Sequence, residues 1–268
     1  MATDQRPIMG ILRRPKVAAK SPIAPMAYPY ILITGTLTGI LFSLLLGHRK
    51  GLPAWTVLDG ALAAGIGGLL VGRILYVLAH LAYFQEHPAE ALALWRGGLS
   101  GFGSVVGGSL GPLALIAWRR ENPRLLLNVL APGASLVVLA AWAGCLQAGC
   151  AWGRETGPSQ GLLWHLSLDL PDLYGLRAPR VAVQGMGILL GIVLLFASCL
   201  ALRFRWRNIG PLWLLLYSLG DFALSSLRGD LSPGPGGLSL LQWADLGLFV
   251  GTLLVFAAAK PLKRKTTF

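Results

Sequence analysis

The stretch NVLAPGASLVVLAAWAGCLQAGCAWGRET, Asn128 to Thr156, joins a long apolar run to a short polar segment that is rich in glycine. About 20 apolar residues, at about 1.5 Å of rise per residue in an α-helix, are enough to cross the hydrocarbon core of a membrane. The apolar part therefore predicts a membrane-spanning helix. The polar part, with Arg154 and Glu155, predicts a loop where that helix leaves the membrane, because charged side chains are costly to bury in lipid.

The composition of the whole chain agrees with a membrane protein. Of its 268 residues, 54% are hydrophobic and only 13% are charged, and the mean hydropathy is +0.63. Soluble domains usually contain about a quarter charged residues. The formal net charge of +12 does not indicate nucleic-acid binding, because the basic residues form short clusters between apolar runs rather than one basic surface. We therefore predict an all-α polytopic membrane protein.

Seven apolar runs are long enough to span a membrane. They cover residues 28–47, 54–81, 99–118, 125–148, 181–202, 210–227 and 240–259. Each should be a helix, because lipid offers no hydrogen-bond partner to an irregular backbone or to an open sheet edge. We expect residues 1–268 to form a single integral membrane domain with a helical core over 27–260. The long loop region at 149–180 is expected to form a cap with the loop at 228–239.

Basic residues predict how the chain is oriented. Clusters at 48–50, 118–124, 203–207 and 260–265 fall on one side of the membrane and contain 12 of the 23 Lys and Arg residues, whereas the opposite loops contain five. The positive-inside rule therefore predicts a cytoplasmic C-terminus and an external N-terminus. The five basic residues before the first span argue against this orientation.

Charged residues inside the spans are candidates for function, because a charge in the bilayer is costly unless it is paired or hydrated. Arg73 lies about one turn from Tyr76 in the second span, and Asp221 lies in the middle of the sixth. Asp221 needs a cation or a proton, and Arg228 follows two turns later on a similar face. A structural ion pair and a functional site both remain open there. Asp59, near the inner end of the second span, is interpreted as a capping or interface residue.

Glycines are crowded at the start of the third span, with six between Gly97 and Gly108. Small residues allow close packing of membrane helices, whereas exposed backbone N–H groups in a glycine-rich loop bind phosphate. The spacing favours neither interpretation over the other.

Two cysteines at the end of the fourth span are separated by five residues. Cys145 and Cys150 would lie about 140° apart around a helix and would not share a face. We interpret them as buried free thiols, with a redox pair left open if the outer compartment is oxidising and the helix has already ended. No metal site is predicted.

Four stretches, taken together and in this order, resemble the bacterial prolipoprotein diacylglyceryl transferase family. Leu58–Leu78 is similar to the family's Gly-Ala-Arg-x-x-Tyr span, and His87–Gly103 to the segment with its Gly-Gly-x-Ser-x-His-Gly motif. Asn128–Thr156 is similar to the family signature that ends in Gly-x-x-x-Gly-Arg-x-Thr. Tyr217–Trp243 is similar to its last two spans and ends in a Leu-Ser-x-x-Gln motif. The family also has seven spans and an external N-terminus.

The resemblance implies a reaction at the outer leaflet of the bacterial cytoplasmic membrane, as a step of lipoprotein biosynthesis. Members move a diacylglyceryl group from phosphatidylglycerol to the thiol of a lipobox cysteine in a secreted precursor, and glycerol phosphate is released. No cofactor is implied. Arginine suits the phosphate because its fork donates two hydrogen bonds at once. The matching positions are Arg154, Arg228 and Tyr217 for catalysis, and Tyr28, Arg73, Gly98, Ser100, Gly103, Gly149, Gly153 and Gln184 for lipid binding.

Four positions depart from the family pattern. The motif His falls on Phe102, the motif Asp on Asn128, the signature Arg on Trp142, and the Arg of the Tyr-x-x-x-Arg motif on Asp221. No motif residue is then an obvious base, and His165 on the outer loop is interpreted as a surface residue. The chain is therefore either an active transferase or an offshoot that binds phospholipid or a membrane partner without turnover. A small transporter is a third and weaker hypothesis.

Overall fold

The computed structural model describes residues 24–94, 97–120, 123–172 and 174–258. The helices and strands in these ranges are α1 (Ala24–Arg49), α2 (Ala54–Ala79), α3 (Leu81–Glu86), α4 (Gly101–Arg119), α5 (Pro123–Ala148), α6 (Leu162–His165), β1 (Ser167–Pro171), β2 (Arg177–Val181), α7 (Val183–Arg203), α8 (Ile209–Ser225) and α9 (Leu240–Ala258). The basic clusters before the first span and after residue 259 lie outside the described residues.

The helices confirm the predicted all-α polytopic membrane fold. Within the described ranges, six helices are long and apolar enough to cross a membrane, and α8 is apolar but shorter, with 17 residues. All seven predicted spans are helices, and the largest boundary error is at α1, which begins at residue 24 rather than 28. The hairpin of β1 and β2 was not predicted.

The two ends of the helix bundle differ in chemistry. We call the end with residues 149–182 and 226–239 the cap end, and the end with residues 50–53 and 204–208 the basic end. At the basic end, Arg119 of α4 and Asp59 of α2 form an ion pair, with 2.6 Å between Nη2 and Oδ2. Asp59 therefore pairs at the interface, in agreement with a structural role.

Asn128, one of the substituted family positions, also lies at the basic end. Its Oδ1 accepts hydrogen bonds from the backbone N–H groups of Ile209 and Gly210, at 2.9 and 3.3 Å, and its Nδ2 donates to the Arg207 carbonyl at 3.1 Å. The first N–H groups of a helix have no partner within the helix. Asn128 supplies such a partner and ties the start of α8 to α5.

Close packing of α2 on α4 depends on glycine. A Cβ atom on Gly67 would collide with the Gly107 carbonyl, and one on Gly103 would lie 2.9 Å from the Val71 carbonyl oxygen and from the Gly72 Cα. Small residues let membrane helices approach until their backbones touch. For Gly103 and Gly107 of α4, the packing interpretation is therefore correct.

The main apolar core forms around α5, which packs on α1, α7 and α8. Its buried members include Val138, Leu194 and Trp213. The rings of Trp213 and Tyr217 stack with centroids 5.5 Å apart, and Trp213 Nε1 donates to Ser135 Oγ at 2.8 Å. α8 in turn packs on α9. Large apolar side chains on the outward faces are exposed, as expected of surfaces that meet lipid.

Two glycines of α2 provide a matched test of the helix packing. Gly67→Ala should lower the free energy of unfolding by about 1–3 kcal/mol, because an overpacked contact must move. Gly65→Ala should leave stability unchanged or raise it by up to about 1 kcal/mol, because no atom lies within 4 Å of its Cβ position. Denaturant titration of the protein in detergent micelles measures both. Equal effects of the two substitutions would contradict the packing model.

Candidate functional site at the cap end

The signature loop begins where α5 ends, and a disulfide holds it there. Gly149 turns the chain with a φ of +72°, which favours glycine. Cys145 and Cys150 form a disulfide, so the prediction of buried free thiols is wrong. The 140° separation does not apply, because α5 ends at Ala148, before the second cysteine. Gln184 of α7 donates from Nε2 to the Cys150 carbonyl at 3.0 Å.

The structure brings the backbones of Arg154 and Arg228 together. The Arg154 N–H donates to the Leu227 carbonyl at 2.9 Å, and the Gly229 N–H donates to the Trp152 carbonyl at 2.8 Å. These bonds form an antiparallel bridge between Gly153 and Arg228. A Cβ on Gly153 would collide with the carbonyl of Val181, so glycine is required for the close approach of this loop to β2.

The Arg154 guanidinium is accessible to a ligand. Its side chain is exposed and lines an open cleft of about 150 Å³, with Glu155, Thr156, Gln160, Leu163 and Val181 as the other lining residues. Among the residues that the structure describes, none accepts a hydrogen bond from this side chain. Arg154 can therefore bind an anion without first breaking an ion pair.

Arg228 differs from Arg154 because its positive charge is already paired with a carboxylate. Its Nε and Nη2 donate to the two carboxylate oxygens of Asp230, at 2.9 and 2.7 Å. Burial acts to lower the pKa of Arg228, but the hydrogen bond and the charge of Asp230 outweigh it, so the pKa is raised. Arg228 remains cationic, and a phosphate near it would have to compete with Asp230.

Two carboxyl groups lie inside the bundle near Arg228. Asp221 of α8 is buried one turn from Tyr217, and Asp245 is buried on α9, the helix that packs on α8. The sequence analysis identified Asp221 and Tyr217 but missed Asp245. The signal was present, since Asp245 is a charged residue within the apolar run of the last span. Asp221 and Arg228 do not form a direct ion pair in the described structure, because Arg228 binds Asp230 instead.

Arg73 does not contact the signature loop. Its guanidinium donates to the carbonyls of Glu90, Ala91, Gly97 and Gly98, at 2.6 to 2.8 Å. Four of its five N–H groups therefore hold the segment between α3 and α4 in place. This arrangement argues against the predicted lipid contact and supports a structural role.

Gly98 and Ser100 belong to the same structural unit. Gly98 has a φ of +81°, and a Cβ there would collide with the Tyr76 ring. Ser100 caps α4: its Oγ accepts from the Gly103 N–H at 3.1 Å, and its own N–H donates to the Gly72 carbonyl at 3.0 Å. Because these two N–H groups have partners, they are not free for phosphate. The predicted phosphate-binding loop is not supported at these positions.

The remaining predicted residues lie in different surroundings. Trp142 is buried, and its ring fills the space above Gly187 between α5 and α7. Tyr28 is half-buried against Gly144 near the end of α5. Phe102 is half-buried in the first turn of α4, and His165 is exposed on α6, as predicted. Asn128 lies about 30 Å from the end of α5 by helix rise, so it cannot reach the cleft.

A buried arginine joins the hairpin to the signature loop. Arg180 of β2 is 5% exposed and forms ion pairs with Glu155 and Asp172, at 2.8 and 3.2 Å. Asp172 also accepts hydrogen bonds from the N–H groups of Tyr174 and Leu176, which closes the turn of the hairpin. Sequence reasoning did not find this role, because only the folded chain brings Glu155 and Asp172 to Arg180.

The fold and the cleft define a multi-pass membrane protein with an arginine site where its helices leave the membrane. The family model for prolipoprotein diacylglyceryl transferase matches residues 16–258, and the chain belongs to this family. The chain is 25% identical to phosphatidylglycerol–prolipoprotein diacylglyceryl transferase 2 of Clostridium perfringens, over 90% of this chain and 93% of the relative. The transferase of Limosilactobacillus reuteri is also 25% identical, over 89% and 90% of the two chains. That of Streptococcus agalactiae is 25% identical over 83% and 87%.

The two arginines of β2 test how the hairpin is held. Arg180→Ala should lower the local opening free energy of residues 167–181 by about 3 kcal/mol, because it leaves a buried carboxylate unpaired. Arg177→Ala removes an exposed pair with Asp169 and should cost less than about 1 kcal/mol. Hydrogen exchange of the hairpin amides measures both. Similar exchange rates in the two variants would contradict the role given to Arg180.

The disulfide predicts how many thiols can be alkylated. Denatured protein treated with a maleimide without reductant should gain one label, at Cys199, the free cysteine of the described chain. After reduction it should gain three, the number of cysteines in the sequence. Mass spectrometry of the intact protein gives the count. Three labels without reductant would contradict the disulfide.

Proposed function

We propose that this protein transfers a diacylglyceryl group from phosphatidylglycerol to the lipobox cysteine thiol of secreted precursor proteins. Membership of the transferase family supports this reaction, and so does the activity for which the relatives from Clostridium perfringens and Limosilactobacillus reuteri are named. The observation that carries the proposal is the exposed Arg154 guanidinium in its cleft, beside the backbone of Arg228. It is the kind of group that binds a phosphate at the surface of a membrane.

The reaction needs a cation where the phosphate leaves. The substrate sulfur attacks the glyceryl carbon while the bond between that carbon and the phosphate oxygen breaks. Negative charge then grows on the phosphate, and a fixed guanidinium stabilises it most at that moment. Arg154 fits this role because its planar fork can donate two hydrogen bonds to one phosphate. Arg228 adds a positive charge that Asp230 partly offsets.

The acyl chains of the lipid need a path between helices to the cleft. α2 packs mainly on α4, and α8 mainly on α9, whereas the two pairs touch each other little. Lipid tails entering between these pairs would place their head group at the cap end. The outward faces of the helices are apolar there, so the tails would stay in an apolar environment.

Two observations support an external cap end in the bacterial cytoplasmic membrane. The opposite end carries Arg49, Arg119, Arg120, Arg203, Arg205 and Arg207, as the positive-inside rule expects of the cytoplasmic side. The disulfide between Cys145 and Cys150 lies at the cap end, and disulfides persist mainly outside the reducing cytoplasm. The N-terminus would then be external and the C-terminus cytoplasmic.

A phospholipid-binding protein without turnover is the second candidate function. The ion pair of Arg228 with Asp230 favours it, since the family's signature arginine is also replaced by Trp142 in this chain. Such a protein would bind phosphatidylglycerol at Arg154 but would not transfer it. Binding and transfer therefore have to be measured separately.

Arg154→Ala should reduce the transfer rate by about 100-fold or more, the usual effect of removing one charge-stabilising donor. The assay uses the full-length protein, labelled phosphatidylglycerol and a lipobox peptide. The transfer rate of Arg154→Lys should lie between those of the unaltered protein and Arg154→Ala. Lysine keeps the positive charge but loses the planar fork that donates two hydrogen bonds. Arg177→Ala is the control, since Arg177 is an exposed cap arginine that does not line the cleft.

Lipid transfer to the peptide cysteine by the unaltered protein supports the enzyme. Binding of phosphatidylglycerol without transfer supports the second candidate. A transfer rate unchanged in Arg154→Ala would remove Arg154 from the site.

A further inference from the structure

The turn between α7 and α8, at the basic end, alternates arginine with aromatic residues. It has the sequence RFRWR at residues 203–207, and we call it the basic turn. All five residues are exposed, with Phe204 at 67% and Trp206 at 56%. α7 ends at the first residue of this turn, and α8 begins two residues after its last. Because two apolar helices meet there through so short a connection, the basic turn lies at the membrane surface.

The length of α8 places the basic turn among the lipid head groups. α8 has 17 residues, which is about 26 Å at about 1.5 Å per residue, whereas the hydrocarbon core of a bilayer is about 30 Å thick. A short span is accommodated when its flanking residues enter the interface and long side chains extend to the head groups. Phe204 and Trp206 suit this depth, because aromatic side chains concentrate at membrane interfaces.

The positive charges of the basic turn are not balanced within the part of the chain that the structure describes. None of its three arginines forms an ion pair with a described residue, whereas Arg119, at the same end, pairs with Asp59. An arginine can donate two hydrogen bonds at once to one phosphate. Three such groups on one turn therefore form a site for an anion.

The backbone of the basic turn is fixed, and one of its arginines is unfavourable for that backbone. Arg205 has a φ of +55°, in the left-handed region that glycine adopts most easily. The N–H groups of Arg205 and Trp206 donate to carbonyls in the last turn of α7, at 3.2 and 2.9 Å, a pattern that usually has glycine at this position. The Arg207 carbonyl accepts from Asn128 at 3.1 Å. The local geometry therefore does not explain the choice of arginine, which points to its side chain.

We propose that the basic turn binds the head group of an anionic phospholipid. The lipid phosphate accepts hydrogen bonds from the guanidinium groups, and Phe204 and Trp206 lie beside the upper part of the acyl chains. A phospholipid fits better than a soluble anion, because the exposed aromatic rings gain an apolar environment. It fits better than an acidic protein, because a turn at head-group depth does not extend into the solvent. This lipid site lies at the opposite end of the bundle from the Arg154 cleft.

Cys199 provides a reporter beside the basic turn. It lies one turn before Arg203 on α7, is half-buried, and is the free cysteine of the described chain. A maleimide fluorophore attached without reductant leaves the disulfide at the cap end intact. The labelled full-length protein is placed in phosphatidylcholine nanodiscs that contain a phospholipid with a nitroxide near its head group. Quenching by nitroxide phosphatidylserine relative to nitroxide phosphatidylcholine then measures the selection of an anionic lipid at this turn.

The unaltered protein should select phosphatidylserine over phosphatidylcholine by about 10- to 100-fold, because each arginine near an anionic head group contributes about fivefold. The combined variant Arg203→Gln, Arg205→Gln and Arg207→Gln should bring this ratio to within about twofold of unity. Raising the salt from about 0.1 to 1 M should lower the ratio in the unaltered protein, since the Debye length shortens from about 10 to 3 Å. Arg177→Gln, at the cap end, is the control and should leave the ratio unchanged.

Arg205→Gly separates a role of the charge from a role in the fold. The selection ratio should fall by about fivefold. The midpoint of thermal unfolding should stay the same or rise, because glycine relieves the left-handed backbone. A lower midpoint with an unchanged ratio would make Arg205 structural and would exclude it from the lipid site.

Three results would overturn the lipid site. The first is equal quenching by the two lipids in the unaltered protein. The second is selection that persists in the combined variant, which would assign it to other arginines of the basic end. The third is relief of the phosphatidylserine quenching by added polyglutamate, which would favour an acidic protein partner. None of these measurements involves lipid transfer, so the proposed function and the lipid site can fail independently.

Discussion

The backbone bridge between Gly153 and Arg228 is the contact on which the site depends. It joins the loop after α5 to the loop after α8, and a hydrogen bond from the Val181 N–H to the Arg154 carbonyl adds the strand before α7. Three helices therefore meet at one place, and their loop backbones satisfy one another instead of remaining unpaired at the edge of the membrane. Arg154 is carried on this framework, and its side chain is exposed and lines the cleft.

The arginines of the cap end show how a membrane protein distributes positive charge. Arg73 binds backbone carbonyls, Arg180 binds two carboxylates, and Arg228 binds Asp230. Arg73 and Arg180 are buried and Arg228 is partly buried, and a guanidinium taken out of water without partners would be too costly. Arg154 differs because it is exposed and has no described partner. Identical side chains thus serve as structural clamps or as a ligand site, according to burial and available acceptors.

The departures from the family pattern have unequal consequences. Asn128 caps α8 at the basic end, and Trp142 fills space between two helices, so both are explained by packing and hydrogen bonding. Asp221 is different because it puts a buried carboxyl where the family resemblance expects a cation, and a second buried carboxyl, Asp245, lies on the neighbouring helix α9. Two acidic residues are therefore buried between α8 and α9 or within them, at positions that packing alone does not explain.

The sequence by itself determined the class of the protein, since runs such as Leu58–Leu78 admit only a helix in lipid. It also singled out Arg154, Arg228 and Asp221, because charged residues are rare in such a chain. Only the tertiary structure decided which of these residues are available to a ligand. Arg73 donates hydrogen bonds to carbonyl groups that are distant in the chain, and Arg228 binds Asp230 in its own loop. Cys150 follows the end of α5, which allows it to form a disulfide with Cys145. Periodicity and hydropathy describe each helix of the sequence separately. The hydrogen-bond, ion-pair and disulfide partners of a side chain depend on which loops meet in the folded protein.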